Sequence, residues 1–240
     1  MAYTTRQERC PLGSIETWIF DLDNTLYPAS CRLFEQVQHR MNEYICTRLA
    51  VSPDEAAELR RTYFREHGTT LSGLMAVHRI DPHEFLAFVH DVDLACVPPD
   101  PALLAALERL GGRKIVHTNG SVRHAERLLD HLGLSGSFSG IVDIVAADFE
   151  PKPALVGYRL LLRRHAVAAE TALMVEDIAR NLAPAAQLGM TTAWLRNGVD
   201  WAMAGADNAY IHHIVDELAG FLAAAAALQG RTGAPAQAGR

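Results

Sequence analysis

This 240-residue sequence has no long apolar run and no paired cysteines. A bilayer-spanning helix needs roughly 18–20 consecutive apolar residues, and no segment reaches that length. Residues 1–10 are polar and lack the apolar core typical of a signal peptide. The scattered cysteines form no CxxC pair, which argues against a disulfide framework or a zinc site; they are Cys10, Cys31, Cys46 and Cys96. Together these absences predict a cytoplasmic protein without a membrane partner.

The chain also has no excess of basic residues over acidic ones. Lys and Arg number 22 against 28 Asp and Glu, which gives a formal net charge of −6. A nucleic-acid backbone is therefore not expected as a partner, and any basic residue in a functional site must act locally against an acidic background. Hydrophobic residues make up 49% of the chain, so a full core can form in one domain or in one domain with a large insertion.

The first strong strand signal is the apolar, β-rich run Thr17–Phe20. A continuous run of this kind is typical of a strand buried on both faces, as in a parallel sheet. The periodicity then becomes helical: one helix is predicted over Leu33–Leu49, and two more begin at Ser52 and Asp81, each followed by a proline in the first turn. No strand is predicted between residues 30 and 96.

Helices and strands then alternate along the chain. The predicted order is helix 101–110, strand 114–117, helix 122–132, strand 141–145, helix 154–165, strand 172–175, helix 179–188, strand 191–195 and a closing helix 211–228. This rhythm predicts an α/β fold, a doubly wound parallel sheet with right-handed crossovers, interrupted by an all-helical insertion. The predicted core is 1–27 and 97–228, the insertion is 28–96, and the tail 229–240, rich in Gly, Ala and Pro, is expected to be disordered.

Polar residues follow four of the predicted strands. In doubly wound folds, ligands bind at the carboxyl ends of the strands, so these residues are the candidates for a site. Along the chain they are Asp21 and Asp23, Thr118 and Asn119, Lys152, and Glu176 and Asp177. The sequence therefore predicts several carboxylates and one lysine at one edge of the sheet.

Such a cluster suits phosphoryl transfer. One aspartate can attack phosphorus and form an aspartyl phosphate, and the other can protonate the leaving oxygen and later deprotonate water. Several anions beside a phosphate require a counter-charge, and Mg²⁺ with oxygen ligands meets that need. Thr118 can hold phosphoryl oxygens, and Lys152 can neutralise charge on the transferred group. Each element alone is common; the conjunction is what favours this chemistry.

The conjunction resembles the haloacid dehalogenase (HAD) superfamily. Its four motifs correspond to Asp21–Leu26, the strand end Thr118–Gly120, Lys152-Pro153, and Val175–Asp177 with Asn181 four residues on. The resemblance covers about residues 15–197. It implies a HAD-type Rossmann-like core in which the insertion 28–96 is a helical cap that closes over the substrate.

The resemblance also implies a role for each motif residue. Asp21 would be the nucleophile and Asp23 the acid/base, while Thr118 and Asn119 would bind the substrate and Lys152 would anchor nucleophile and phosphate. Mg²⁺ would be held by Asp21, the backbone carbonyl of Asp23, and Asp177, with Glu176 and Asn181 supporting the metal site. Because a halide leaves without protonation and the dehalogenases proper lack this second aspartate, Asp23 argues against dehalogenation.

Five segments resemble the pyrimidine 5′-nucleotidase-like branch of the superfamily. They are Phe20–Pro28 (FDLDNTLYP), His67–Leu74 (HGTTLSGL), Asp91–Leu94, Ala147–Pro153 (ADFEPKP) and Glu176–Gly189 (EDIARNLAPAAQLG). This resemblance implies a nucleoside monophosphate as the substrate. Alternatives from the same chemistry are a phosphatase for phosphoglycolate or a sugar phosphate, and a phosphomutase; an alternative from another class is a non-catalytic phosphate-binding module.

Several residues near the motifs are expected to be structural. His117 is interpreted as a strand histidine with satisfied hydrogen bonds, and the remaining histidines, including His212-His213, as structural or solvated. Tyr63 and Phe64 lie at helical spacing and are expected in the core rather than against a nucleobase. The polar residues His67, Thr69 and Thr70 are candidates for substrate contact only through the family-like segment in which they lie.

Overall fold

The computed structural model describes residues 10–232. Its strands are β1 (Thr17–Phe20), β2 (Arg113–His117), β3 (Gly140–Val142), β4 (Ala172–Glu176), β5 (Thr191–Leu195) and β6 (His213–Val215). All neighbouring strands pair in parallel, in the order β3-β2-β1-β4-β5-β6. This arrangement confirms the predicted doubly wound α/β fold.

Ten α-helices accompany the sheet within the described residues. They are α1 (Leu33–Leu49), α2 (Pro53–His67), α3 (Thr70–His78), α4 (Pro82–Val89), α5 (Pro101–Arg109), α6 (Val122–Leu132), α7 (Leu155–Arg164), α8 (Leu182–Gln187), α9 (Asp200–Met203) and α10 (Leu218–Thr232). Helices α1–α4 all lie between β1 and β2, and the structure gives no strand between residues 30 and 96, as predicted.

The central strand β1 is buried along its whole length because layers of apolar side chains cover both faces of the sheet. Trp18 and Phe20 belong to the larger core cluster, whereas Ile19 belongs to a second cluster with Ile115 and Met174 on the neighbouring strands. Alternate side chains of a strand point to opposite faces, so each face of β1 has its own core. Burial on both faces fixes the position of β1, and so of Asp21, the residue that directly follows it.

The helices of the insertion begin where the sequence places strong caps. Ser52 accepts a hydrogen bond from Glu55 N while the Glu55 carboxylate accepts from Ser52 N, a reciprocal capping box. Thr69 caps α3 by accepting from Ser72 N, and Asp81 caps α4 by accepting from His83 N. Buried Ile45, on α1, anchors the insertion to the larger core cluster.

The structure corrects two predicted strand and helix ends. Strand β3 stops at Val142 rather than Val145, because the Asp143 carboxylate accepts hydrogen bonds from Val122 N and Ala146 N and turns the chain. The predicted helix 179–188 is a 3-10 turn over 179–181 followed by the shorter α8.

The closing helix predicted over 211–228 differs from the structure at both ends. Its first part forms the edge strand β6, and α10 begins later, where the Glu217 carboxylate accepts hydrogen bonds from Ala219 N and Gly220 N. The helix also runs beyond the predicted start of the tail, because the Gln229 side chain bonds Gly111 N and Ile15 O. The remainder of the predicted tail, 233–240, lies outside the described residues.

Within residues 10–232, no helix combines the length and the apolar character that a membrane crossing requires.

Gly112 permits the close start of β2 beside β1. Its φ is +88°, and a Cβ at this position would lie 2.6 Å from the backbone oxygen of Glu16. We expect Gly112→Ala to lower the free energy of unfolding by roughly 3 kcal/mol or more, because left-handed strain of about 1–2 kcal/mol adds to this clash.

Gly133 is the matched control, because its φ is +71° but nothing lies within 4 Å of an added Cβ. Gly133→Ala should therefore cost only the strain, about 1–2 kcal/mol. Urea unfolding of both variants measures the difference, and equal losses would contradict the role given to the backbone contact at Gly112.

Candidate active site

The predicted site residues converge where the strand order changes direction. Asp21 follows β1, Thr118 follows β2, and Glu176 ends β4, and β1 lies between the other two strands. Successive strands are added on one side of β1 up to β3 and on its other side from β4 onward, so the crevice at their carboxyl ends is the usual ligand position of this fold class.

Lys152 lies at the centre of this crevice and is only 4% exposed. Its Nζ donates to Asp21 Oδ1 at 2.5 Å, to Glu176 Oε2 at 2.6 Å and to the His117 carbonyl oxygen at 2.9 Å. Although burial lowers the pKa of the ammonium, the charges of Asp21 and Glu176 outweigh burial and raise that pKa above its usual value. Lys152 is therefore a fixed cation between two carboxylates.

The side chain of Asn119 holds the Lys152 backbone in place. Its Oδ1 accepts from Lys152 N at 2.8 Å, and its Nδ2 donates to Lys152 O at 3.4 Å. Both ends of the amide are thus used within the protein, although Asn119 also lines the crevice. Thr118 is buried beside it, and its Oγ1 accepts from Gly120 N at 2.8 Å.

Three carboxylates crowd together around Lys152. One oxygen from each of Asp21, Glu176 and Asp177 lies within 4.8 Å of the others, and all three residues are buried. Burial and the charge of Glu176 raise the pKa of Asp21 to about 7 and raise the pKa of Asp177 well above its usual value. One lysine does not balance three carboxylates, so the group has the charge and the hard oxygen donors that suit a divalent cation such as Mg²⁺.

Further hydrogen bonds orient the carboxylates of this group. Thr25 Oγ1 donates to Asp21 Oδ2 at 3.1 Å, and Glu176 Oε1 accepts from Ile178 N at 3.2 Å. Asp177 Oδ2 accepts from the side chain of Asn197 at 2.7 Å, a contact that the sequence analysis missed. Asn181 is buried at the same crevice, as predicted for a supporting residue.

Asp23 has a different environment from Asp21, two residues earlier. Its Oδ1 accepts from the Tyr27 hydroxyl at 2.7 Å and lies 2.9 Å from His124 Nε2. Burial alone raises the pKa of Asp23, but the charge and hydrogen bond of His124, with the hydrogen bond of Tyr27, outweigh burial and lower it to about 2. Asp23 is therefore held as an anion.

The contact of His124 with Asp23 overturns its interpretation as a structural or solvated histidine. His124 lies in the first turn of α6, which Ser121 caps by accepting from His124 N. Because α6 starts directly after the site loop at the end of β2, its first turn brings His124 to the Asp23 carboxylate. Its position in the first turn of the helix that follows Thr118–Gly120 was the available sequence signal.

Other histidines and aromatics follow the predictions in part. His117 is buried in the core with its ring edge-on to Tyr158, but its Nδ1 has no hydrogen-bond partner among the described residues, so it is structural without being satisfied. Tyr63 is in the core as predicted, with its hydroxyl 2.6 Å from His78 Nε2. Phe64 is partly exposed and lines the crevice, so its prediction as a core residue was wrong.

A cavity of about 480 Å³ extends from the carboxylates up to helices α1–α4. Its upper wall is largely apolar and aromatic, and Trp201 of α9 lies against the rings of Phe34 and Phe64 at centroid distances of 6.5 and 5.8 Å. Thr69 and Thr70 also line it, whereas His67 is not among the lining residues of the described chain. The cavity is thus polar and charged below and aromatic above.

Loss of the buried cation should destabilise the fold. Lys152→Met leaves Asp21 and Glu176 uncompensated, and we expect the free energy of unfolding in urea to fall by about 3–5 kcal/mol. The double variant Lys152→Met/Glu176→Gln removes one of the carboxylates too and should recover part of that loss.

Lys114→Met is the matched control, because within residues 10–232 the Lys114 ammonium donates only to the backbone oxygens of Leu110 and Gly112. It should cost about 1 kcal/mol. Unfolding of Lys152→Met at the wild-type denaturant concentration would contradict the electrostatic account of the site.

The chain is similar to several known proteins. Phosphate metabolism protein 8 of Saccharomyces cerevisiae is 29% identical over 136 residues, which are 52% of this chain and 42% of the yeast protein. The match thus spans less than half the length of that relative.

Several solved structures share the fold. They include a HAD phosphatase from Thermococcus onnurineus (17% identity, TM-score 0.59, 84% of this chain and 93% of that one). CbbY from Rhodobacter sphaeroides, in complex with xylulose-(1,5)-bisphosphate, is 24% identical with a TM-score of 0.59 and covers 85% of this chain and 95% of its own.

An L-2-haloacid dehalogenase from Xanthobacter autotrophicus is 16% identical, with a TM-score of 0.56 over 92% of this chain and 100% of that one. At these identities the structural matches show the fold alone. The sequence profile of haloacid dehalogenase-like hydrolases, however, matches residues 15–189. The chain therefore belongs to the haloacid dehalogenase-like hydrolase family.

Proposed function

We propose that the protein is a Mg²⁺-dependent phosphomonoesterase that uses Asp21 as its nucleophile. The observation that carries the proposal is the pairing of the buried Asp21 with Lys152 directly below a cavity that Asp23 also lines. A nucleophile, a cation for phosphoryl charge and a second carboxylate thus meet at one place, as in-line phosphoryl transfer requires.

In the first step, a carboxylate oxygen of Asp21 forms a bond to phosphorus and the bond from phosphorus to the leaving oxygen breaks. Asp23 transfers a proton to that oxygen, so the alcohol departs neutral. Because Tyr27 and His124 favour the carboxylate form of Asp23, the proton must arrive with the substrate. A monoester whose second pKa is about 6 can carry it.

In the second step, water attacks phosphorus of the aspartyl phosphate while Asp23 accepts a proton from it. The bond from phosphorus to the Asp21 oxygen breaks, and free carboxylate and inorganic phosphate result. Lys152 stays bound to Asp21 Oδ1 and offsets negative charge on the transferred group.

The metal would be held by Asp21 and Asp177, with the backbone carbonyl of Asp23 completing the protein ligands and Glu176 and Asn181 supporting them. When bound, Mg²⁺ supplies positive charge that stabilises the phosphoryl oxygens. Its fit rests on the donor set, since one oxygen from each of three buried carboxylates lies within 4.8 Å of the others. Lys152 forms ion pairs with two of these residues, Asp21 and Glu176. In this proposal Thr118 binds the phosphoryl group, and Asn119 positions Lys152 through its hydrogen bonds to the Lys152 backbone.

The substrate we propose is a nucleoside monophosphate, in particular a pyrimidine nucleotide. The aromatic upper wall at Phe34, Phe64 and Trp201 can take a flat base, and Thr69 and Thr70 offer hydroxyl groups nearby. The resemblance of five segments to the pyrimidine 5′-nucleotidase-like branch points the same way. In this proposal the insertion 28–96 is a cap that excludes water, and the enzyme works in the cytoplasm.

One observation favours a second candidate, a monoester that carries another anionic group. Arg60 lines the cavity, and no carboxylate among the described residues lies within ion-pair distance of it. Within the same residues, its guanidinium makes one hydrogen bond, from Nε to Asn42 Oδ1 at 3.0 Å. Its remaining N–H groups can bind a carboxylate or a second phosphate, as in phosphoglycolate or a sugar bisphosphate.

Phosphate release from a panel of monoesters tests both candidates. The panel holds UMP, CMP, dTMP, AMP, GMP, phosphoglycolate and several sugar phosphates, each with and without Mg²⁺. We expect Mg²⁺-dependent release that is fastest with UMP and CMP and that falls at least about 1000-fold in Asp21→Asn, because the nucleophile is lost.

The outcomes distinguish an error in the proposed substrate from an error in the proposed mechanism. A preference for phosphoglycolate or a bisphosphate keeps the mechanism and rejects the pyrimidine nucleotide. Full activity of Asp21→Asn, or turnover that EDTA leaves unchanged, rejects the mechanism itself. A folded protein that releases phosphate from no monoester would favour a phosphate-binding module instead.

A further inference from the structure

Both hydrogen bonds to the Asp23 carboxylate reach the same oxygen. Tyr27 Oη lies 2.7 Å and His124 Nε2 lies 2.9 Å from Oδ1. No hydrogen bond among the described residues engages Oδ2, although Asp23 lines the cavity. The two donors fix the orientation of the Asp23 carboxylate through Oδ1. Oδ2 is therefore available to exchange a proton with a substrate in the cavity.

The geometry of His124 makes it a donor to Asp23. Its side chain is 1% exposed, and its Nδ1 has no hydrogen-bond partner among the described residues. A buried N–H without a partner is more costly than a buried acceptor without one. Nε2 is therefore the nitrogen that donates, and its proton points at Asp23 Oδ1.

His124 is itself held in place by His90 from the end of the insertion. The two imidazole rings stack with centroids 4.3 Å apart and planes within 11°. His90 Nδ1 lies 3.2 Å from Ser121 Oγ, and Arg127 donates to the His90 and Val92 carbonyl oxygens at 2.8 and 3.2 Å. The stack thus fixes the His124 ring and ties the end of α4 to α6.

We propose that His124, with Tyr27, is a positioning residue that aims Oδ2 of Asp23 at the leaving oxygen of the substrate, and that His90 holds His124 in that orientation. The inference rests on the proposed phosphomonoesterase function. It goes beyond that function by adding three residues, one of them from the insertion, to the machinery of proton transfer. None of the three contacts Asp21 or Lys152 through a hydrogen bond within the described chain.

A change in leaving-group dependence distinguishes this role from a general structural one. An alkyl monoester needs protonation of its leaving oxygen, whereas p-nitrophenyl phosphate releases a stabilised phenolate and needs it far less. A variant that misaims Asp23 should therefore lose activity on the alkyl ester selectively. A variant that merely loosens the fold should lose activity on both esters alike.

The experiment measures kcat/KM of the full chain with Mg²⁺ on p-nitrophenyl phosphate and on the best alkyl monoester of the panel. We expect His124→Met to lose about 10- to 100-fold on the alkyl ester and under about 3-fold on the aryl ester, as expected for one hydrogen bond to a charged group. His124→Gln, whose amide can donate from a similar position, should recover most of the alkyl activity.

Three further variants complete the test. Asp23→Asn sets the largest selective loss expected, and Tyr27→Phe should fall between it and the wild type. His90→Phe keeps an aromatic ring against His124 and should retain more alkyl activity than His90→Ala. Unfolding in urea, measured for every variant, shows whether the protein assayed was folded.

The outcomes distinguish the failure of this inference from the failure of the proposed function. If Asp23→Asn shows the selective loss and His124→Met loses both esters equally or neither, the positioning role is rejected while the phosphatase stands. If His124→Gln is as poor as His124→Met in a folded protein, the hydrogen bond is not the cause, and the inference is again rejected. If the wild type hydrolyses neither ester, both proposals fall together.

Discussion

The site depends on how one buried lysine shares its charge among more carboxylates than it can neutralise. Lys152 bridges Asp21 and Glu176, and Asp177 adds a third buried carboxylate next to them. Burial makes each negative charge costly, so the cluster favours any additional cation that oxygen ligands can hold. Burial and the charge of Glu176 raise the pKa of Asp21 to about 7. The doubly wound sheet makes this cluster possible, because it brings the ends of β1 and β4 side by side.

Two aspartates separated by one residue have opposite surroundings. Asp21 faces other carboxylates and one lysine, whereas Asp23 receives two hydrogen bonds from neutral or cationic donors and has a pKa of about 2. Groups whose environments push their pKa values apart are suited to different chemical roles. The difference arises from the chain turning after β1, which leaves Asp21 at the sheet and carries Asp23 toward α6.

The sequence predicted the sheet, the helical insertion and the acidic cluster because each has a local signal. A continuous apolar run marks β1, capping residues mark α2 and α4, and polar residues follow the strands. The edge strand β6 was mistaken for helix because only three residues pair with β5, and an adjacent alanine-rich run has strong helix propensity. Such short edge strands depend on tertiary pairing that local propensity does not encode.

The residues that the sequence analysis missed at the site share a different cause. Each of them makes its contact with a residue distant in sequence: His124 with Asp23, His90 with His124, Asn197 with Asp177, and Trp201 with Phe34 and Phe64. These contacts follow from tertiary packing, which local sequence patterns do not encode. From sequence alone, a histidine is most often interpreted as structural. The contact with Asp23, which the structure shows, is what assigns His124 to the site.

Direct capture of a phosphoryl group on Asp21 is the most direct test of the account. The enzyme is mixed with a ³²P-labelled monoester and Mg²⁺, quenched in acid within one turnover, and digested for mass spectrometry. We predict a hydroxylamine-sensitive label on the peptide that contains Asp21, absent in Asp21→Asn and increased in Asp23→Asn supplied with an activated aryl ester. Rapid phosphate release without a label at Asp21, or with the label on another residue, would contradict the account.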